Sequence, residues 1–204
     1  MKISMHPIIH LYSSFFCACL IGLSTCQTHA ADLAGKYDFE EGDLAGWAAG
    51  HQDRWQSLSG WKDIMKPSLD QTESHSGGKS LKLELLGNDG ISVISPGIPT
   101  PLGDSGPRRL TIRLFTKTQN IPEGDVGIRV LEHGDNGKAL RFLDFLETKT
   151  QTLTLPVGDG WTETVVEGVL DEKTSNVVLM FGIAAPGTPA ILWIDDINAE
   201  VTAQ

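Results

Sequence analysis

Beyond residue 36 the apolar residues of this chain recur at every second position, and that period narrows its possible folds more than any other feature. Leu81, Leu83 and Leu85 alternate with Lys82 and Glu84. Leu110, Ile112 and Leu114 alternate with Thr111 and Arg113, and Val126, Ile128 and Val130 alternate with Gly127 and Arg129. A period of two sends successive side chains to opposite faces of a strand, so these segments read as strands with one buried and one wet face. Further strands are expected over 91–95, 140–146, 150–155, 162–170, 177–183 and 190–201. Turn residues separate them, as in Asn88-Asp-Gly90, Gly134-Asp-Asn-Gly137 and Val157-Gly-Asp-Gly160. No stretch sustains the 3.6-residue period of a helix. About ten short antiparallel strands in one unit imply an all-β fold, a two-sheet antiparallel β-sandwich.

The closing segment, Ala190 to Val201, departs from simple alternation. Ile191 to Ile194 are apolar on both faces, as in a strand covered on both sides, and Asp195 and Asp196 follow at once. An ionised carboxylate buried without compensation is costly, so this pair calls for a cation or a dense set of donors. The expected neighbour of this strand is the segment Tyr37 to Trp47 near the other end, which would place Asp38 and Glu40 on one face of a first strand.

Three motifs in these regions carry a family resemblance. Phe39-Glu40-x-Gly42 followed by Gly46-Trp47, then Ser74-His-Ser-Gly-Gly-Lys-Ser-Leu-Lys-Leu83, then Ile194-Asp-Asp-Ile197 fall in the order seen in the galactose-binding-like jelly rolls of non-catalytic carbohydrate-binding modules, such as families 4, 11 and 22. The chain resembles them over about the whole of its length beyond residue 31. The resemblance implies a jelly roll whose first and last strands are adjacent. It also implies a structural calcium held by Glu40, by Asp195 or Asp196, and by backbone around Gly78 and Lys79. Calcium takes about six to eight oxygen ligands, mixing carboxylates with carbonyls. The alternative is that the same carboxylates accept hydrogen bonds from backbone or from Lys79, without a metal.

Residues 1–31 hold one charge, Lys2, then an apolar run from Ile8 to Leu23 and small residues ending at Ala30-Ala31, the pattern of a cleaved export signal. Its run is interrupted by His10, Ser13 and Ser14 and is short for a membrane span. Leu23-Ser-Thr-Cys26 also admits a lipid anchor on Cys26. All three cysteines, Cys17, Cys19 and Cys26, lie in this leader, so the expected single domain over 32–204 has no disulfide to form. The chain carries a net charge of −10, and losing the leader makes it −11. Nucleic acid and anionic membrane are therefore disfavoured partners, since both are bound through clustered Lys and Arg.

Two groups of residues could bind a ligand. Between Trp47 and Ser74 the alternation fails, and this irregular loop holds Trp55 and Trp61. Indole rings stack on the apolar faces of sugars while the N–H meets a hydroxyl. Trp47, Trp161 and Trp193 sit at pattern positions and are expected in the core. Arg113, Arg129 and Arg141 stand mid-strand and are expected to line one sheet face together, which would suit an acidic glycan; a solvated face balanced by Glu84 and Asp144 is the other reading. No nucleophile turn or zinc motif occurs, and His51, His75 and His133 lack ligand spacing. The expected function is an exported, non-catalytic domain that recognises a polysaccharide. The rivals are a domain that contacts another exported protein and a divergent polysaccharide lyase or glycoside hydrolase.

Overall fold

The computed structural model describes residues 32–51, 54–61, 64–86, 90–100, 106–184 and 189–204. The leader and its Cys26 lie outside them. The strands are β1 (Asp32–Tyr37), β2 (Ala48–His51), β3 (Arg54–Ser57), β4 (Met65–Asp70), β5 (Ser80–Leu85), β6 (Ile91–Ile94), β7 (Ile98–Pro99), β8 (Arg108–Gln119), β9 (Val126–Gly134), β10 (Ala139–Phe142), β11 (Leu153–Thr154), β12 (Thr162–Leu170), β13 (Thr174–Ile183) and β14 (Ala190–Ala203). One 3-10 turn, Leu58–Trp61, stands between β3 and β4.

These strands form two antiparallel sheets. Sheet I runs β12-β8-β14-β5-β4, with β1 also paired to β14. Sheet II runs β10-β9-β13-β6-β2-β3, with β11 beside β9 and β7 beside β13. The alternation seen in sequence is obeyed residue by residue. Leu110, Ile112 and Leu114 of β8 face Val126, Ile128 and Val130 of β9 across one core, joined by Leu81, Leu83, Phe181 and Ile194. Each of these is fully or almost fully buried, and removal of that apolar surface from water drives the two sheets together.

β1 pairs with β14 from Asp32 opposite Val201 to Tyr37 opposite Ile197, so the first and last strands are adjacent. The first strand nevertheless ends earlier than the sequence suggests. Phe39 takes a left-handed backbone (φ 58°) that turns the chain out of the sheet, so Asp38 and Glu40 sit in the bend after β1 and not on a strand face. Phe39 itself stays buried against Trp47. The stretch between Trp47 and Ser74 also holds more order than its pattern indicates: β2, β3 and β4 lie within it. Short strands with small or polar residues carry too little alternation to be read in sequence.

Candidate functional site

Two regions combine polar chemistry with a defined geometry. One is the junction where the chain's two ends meet in sheet I. The other is the outer face of sheet II.

β14 is flanked by β8 along its length, but its other neighbour changes. β5 pairs with Ala190 to Ile194, and β1 pairs with Ile197 to Val201. Asp195 and Asp196 occupy the gap, where the register against β8 also slips between Asp195 and Asn198. Asp196 has φ 48°, a left-handed conformation that Asp tolerates better than most residues. The loop before β5 closes over this bulge. Asp195, fully buried, accepts hydrogen bonds from the amides of His75 (2.8 Å), Ser76 (3.4 Å) and Asp196 (2.8 Å). Burial pushes its pKa above the usual carboxylate value against the pull of those amides. Asp196 holds the His75 Nδ1 at 2.7 Å and accepts from the Ser76 hydroxyl at 2.9 Å. The His75 ring stacks on Phe115 at 3.5 Å, with Trp161 edge-on at 6.0 Å.

Glu40 completes the junction. Its Oε1 accepts from the amides of Gly78 and Lys79, each at 2.9 Å, and the Lys79 ammonium donates to the Glu40 carbonyl at 2.7 Å. Gly77 lies at φ 60°, and a Cβ there would displace the Glu40 carboxylate from the amides that hold it, so glycine suits the position. The residues implied for calcium are thus brought to one junction, but their donor set does not fit the ion. Amide N–H groups face the carboxylates of Glu40 and Asp195 where a cation would have to stand, and the Glu40 carbonyl is taken by an ammonium. Among the described residues no three His, Cys, Asp or Glu side chains converge as a ligand set.

The three arginines do not share a face. Arg113 is on the outer face of sheet I, 3.4 Å from Glu163. Arg141 turns toward the core edge and pairs with the buried Glu132 at 2.9 Å. Arg129 alone is on the outer face of sheet II, with its guanidinium 3.4 Å over the Phe142 ring. Alternation explains the separation: Arg113 and Arg129 belong to different sheets, and Arg141 and Phe142 are successive residues that point opposite ways. Trp193 is buried, but on the outer side of sheet I beneath Lys82 and Lys117, with its indole N–H donating to Asp70 at 2.9 Å. Trp161 is half-buried beside His75 and outside the core. Trp47 is in the core, as expected.

The outer face of sheet II carries a row of small residues aligned across its strands. Trp55 pairs with Gly50, Gly50 with Ser92, Ser92 with Gly182, Gly182 with Gly127, and Gly127 with Thr154. The next row runs Ala48, Ile94, Met180, Arg129. Over the first row lies an open depression of about 360 Å³, lined by Gly50, Ser92, Gly182, Gly124 and Asp125 among others. Gly182 has no conformational need to be glycine, and a Cβ built on it meets nothing within 4 Å. A glycine within a strand weakens it and leaves the backbone open to close approach. The sequence signal for this row is Gly182 itself, an isolated glycine in the strand pattern V-V-L-M-F-G-I. The backbones of Trp55 and Trp61 stand in β3 and in the 3-10 turn; their side chains lie outside the described residues. A second cleft of about 530 Å³ opens beside that turn, walled by Leu44, Leu58, Met65 and Pro67. Its Asp43 carboxylate already accepts from the Ala45 amide at 2.8 Å.

No family model and no curated protein matches the sequence. Solved structures do match in three dimensions. The CBM22-1 xylan-binding domain from Paenibacillus barcinonensis is 15% identical with a TM-score of 0.54, over 86% of this chain and 97% of that one. This chain has the jelly-roll fold of carbohydrate-binding modules. The family 11 carbohydrate-binding module from Clostridium thermocellum, solved with a β-1,3-1,4-mixed-linked tetrasaccharide, is 13% identical (TM-score 0.51, 84% of this chain and 98% of that one). The enzymatically active domain of bacteriophage CBA120 tailspike protein 4 is 10% identical (TM-score 0.55), and the match spans 81% of this chain but 20% of that one. At these identities the likeness is one of fold, and function has to be argued from the site.

Proposed function

We propose that this chain is a non-catalytic carbohydrate-binding domain that acts outside the cytoplasm, and that its glycan lies across the strands of sheet II, over the row Gly50, Ser92, Gly182, Gly127. The observation that carries this reading is Gly182. Neither conformation nor packing asks for glycine there, so the open space above it is explained by a ligand that lies against the backbone. A flat, hydroxyl-rich chain suits such a floor, and the backbone of Trp55 stands at the end of the row. The xylan-binding domain and the mixed-linked-glucan complex of the same fold support the ligand class. Export rests on the leader-like residues 1–31. No helix among the described residues is long and apolar enough to cross a membrane. A binding role, not catalysis, is favoured by the depression itself: Asp125 is its one carboxylate among the described lining residues, whereas glycoside hydrolysis uses two facing carboxyl groups.

Affinity electrophoresis of the full chain against a panel of polysaccharides tests the reading. Wild-type protein should be retarded by at least one polymer. Gly182→Leu, which fills the depression without straining the backbone, should lose that retardation while its melting temperature holds. Retardation unchanged in Gly182→Leu would move the site elsewhere, and release of new reducing or unsaturated ends would make the protein an enzyme.

A further inference from the structure

Along β9 the outer face reads Asp125, Gly127, Arg129, with Asp125 one residue ahead of the strand. At about 3.3 Å per residue the two charged positions stand roughly 13 Å apart, too far to pair with each other. Neither side chain makes a hydrogen bond or ion pair with any described residue, although both are partly buried. Of the other described arginines of known surroundings, Arg109 is exposed to solvent and the rest are paired: Arg108 donates to the carbonyls of Thr100, Asp171 and Thr174, Arg113 faces Glu163, and Arg141 is bound to Glu132. Arg129 is held instead by its stack on Phe142, with Nε buried and unpartnered. A buried donor left unmade costs about 1–3 kcal/mol, and in a chain with 26 acidic against 16 basic residues an acid partner would be easy to supply. The guanidinium is therefore oriented and kept unpaired. The Asp125 carboxylate lines the depression over Gly182 in the same way.

We infer, resting on the carbohydrate-binding reading, that Asp125 and Arg129 bracket the ligand and that the ligand is an uncharged polysaccharide. An ionised carboxylate only accepts and a guanidinium only donates, while a sugar hydroxyl does both. One unpaired acid and one unpaired base therefore grip opposite ends of a short stretch of neutral glycan. The pair sums to zero charge. A polyuronate would set its carboxylates against Asp125 and against a protein of net charge −10, with Arg129 as the single compensating cation on these rows. This reverses the acidic-glycan expectation, which needed three arginines on one face.

The test is affinity electrophoresis of the full chain and its variants in xylan and mixed-linked β-glucan, both uncharged, and in polygalacturonate and alginate, with thermal melts as a control. One or both neutral polymers should retard the protein and the uronates should not. Asp125→Asn and Arg129→Gln should each weaken retardation about tenfold with unchanged melting temperature. Arg129→Lys, which keeps the charge but loses the planar stacked fork, should weaken it as well. Retardation by a uronate that Arg129→Gln abolishes would overturn the neutral class while leaving glycan binding standing. Neutral binding that all three variants retain would overturn the bracket. Retardation by no polymer would defeat the carbohydrate reading itself.

Discussion

The two outer faces of this sandwich are built from the same alternation and have opposite chemistry. On sheet I several outward residues are charged and paired: Arg113 with Glu163, Lys117 with Glu73 at 2.8 Å, Lys82 near Asp70 and Glu84, and Thr111 with Glu167. On sheet II they are small or apolar and nearly uncharged, with Gly50, Ser92, Gly182 and Gly127 in one row and Ala48, Ile94 and Met180 in the next. The core-facing residues of both sheets are alike, so folding needs neither difference. A face whose polar groups already hold one another has little to offer a ligand, and a face with an open floor and unpaired Asp125 and Arg129 has much. On the proposed function, stability concentrates on the first, at the junction of the chain ends, and recognition on the second.

The largest expected effect tests the stability half of that contrast. Asp195→Ala leaves the amides of His75, Ser76 and Asp196 without their buried acceptor and should cost about 2 kcal/mol by chemical denaturation. Glycan affinity of the folded fraction should not change. If affinity falls while stability holds, the two faces are not separable.

Next, the recognition half predicts a binding loss of at least about tenfold, or roughly 1.4 kcal/mol, in Gly182→Leu. The matched change on sheet I, Thr111→Leu, should leave retardation as it was. Equal losses would erase the distinction.

Acid should act through sheet I. Burial opposes ionisation of Asp70, but donors from Trp193 and Thr72, with Lys82 nearby, hold its pKa down from 3.8 to about 2. A carboxylate depressed on folding contributes stability above its unfolded pKa and loses it as pH falls through the folded one, here from about 4 to 2. Trp193→Phe removes the indole donor, so acid unfolding monitored by circular dichroism should begin at higher pH, with a loss of about 1 kcal/mol at neutral pH. An unshifted acid limb would show that Asp70 is not held by this contact.

Two smaller effects complete the comparison. Arg113→Ala breaks an exposed pair and should change stability by less than about 0.5 kcal/mol, with no effect on glycan binding. Chelation should leave the melting temperature unchanged, because the Glu40 carboxylate is met by the amides of Gly78 and Lys79 and its carbonyl by the Lys79 ammonium. A fall in melting temperature with EDTA, restored by calcium, would mean that the junction rearranges around an ion.

Much of the architecture was legible in the sequence because it follows from local rules. Alternation gave β12 to the residue and β5 to within one, and it marked the middle of β8, the first half of β9 and most of β13; the apolar run before Asp195 marked β14 as the covered strand. The pairing of β1 with β14 followed from motif order. β2, β3 and β4 were not legible, since short strands of Ala, Gly, Ser and Lys show no period. Of the candidate site residues, Glu40, Lys79, Asp195 and Asp196 did converge, but the partners that hold them, His75 and Ser76, sit 120 residues away in the chain from the aspartates.

By itself, then, the sequence determined which residues face the core, because burial depends on a period of two that each strand carries on its own. Only the tertiary structure decided which outward residues become neighbours. That depends on sheet membership and on register, where a slip of one residue reverses every side chain. Arg113, Arg129 and Arg141 look equivalent in sequence, yet they end on the two outer faces and at a core edge. Gly50, Ser92, Gly182 and Gly127 look unrelated in sequence, yet register sets them in one line. A site built from four strands exists only once those strands are paired.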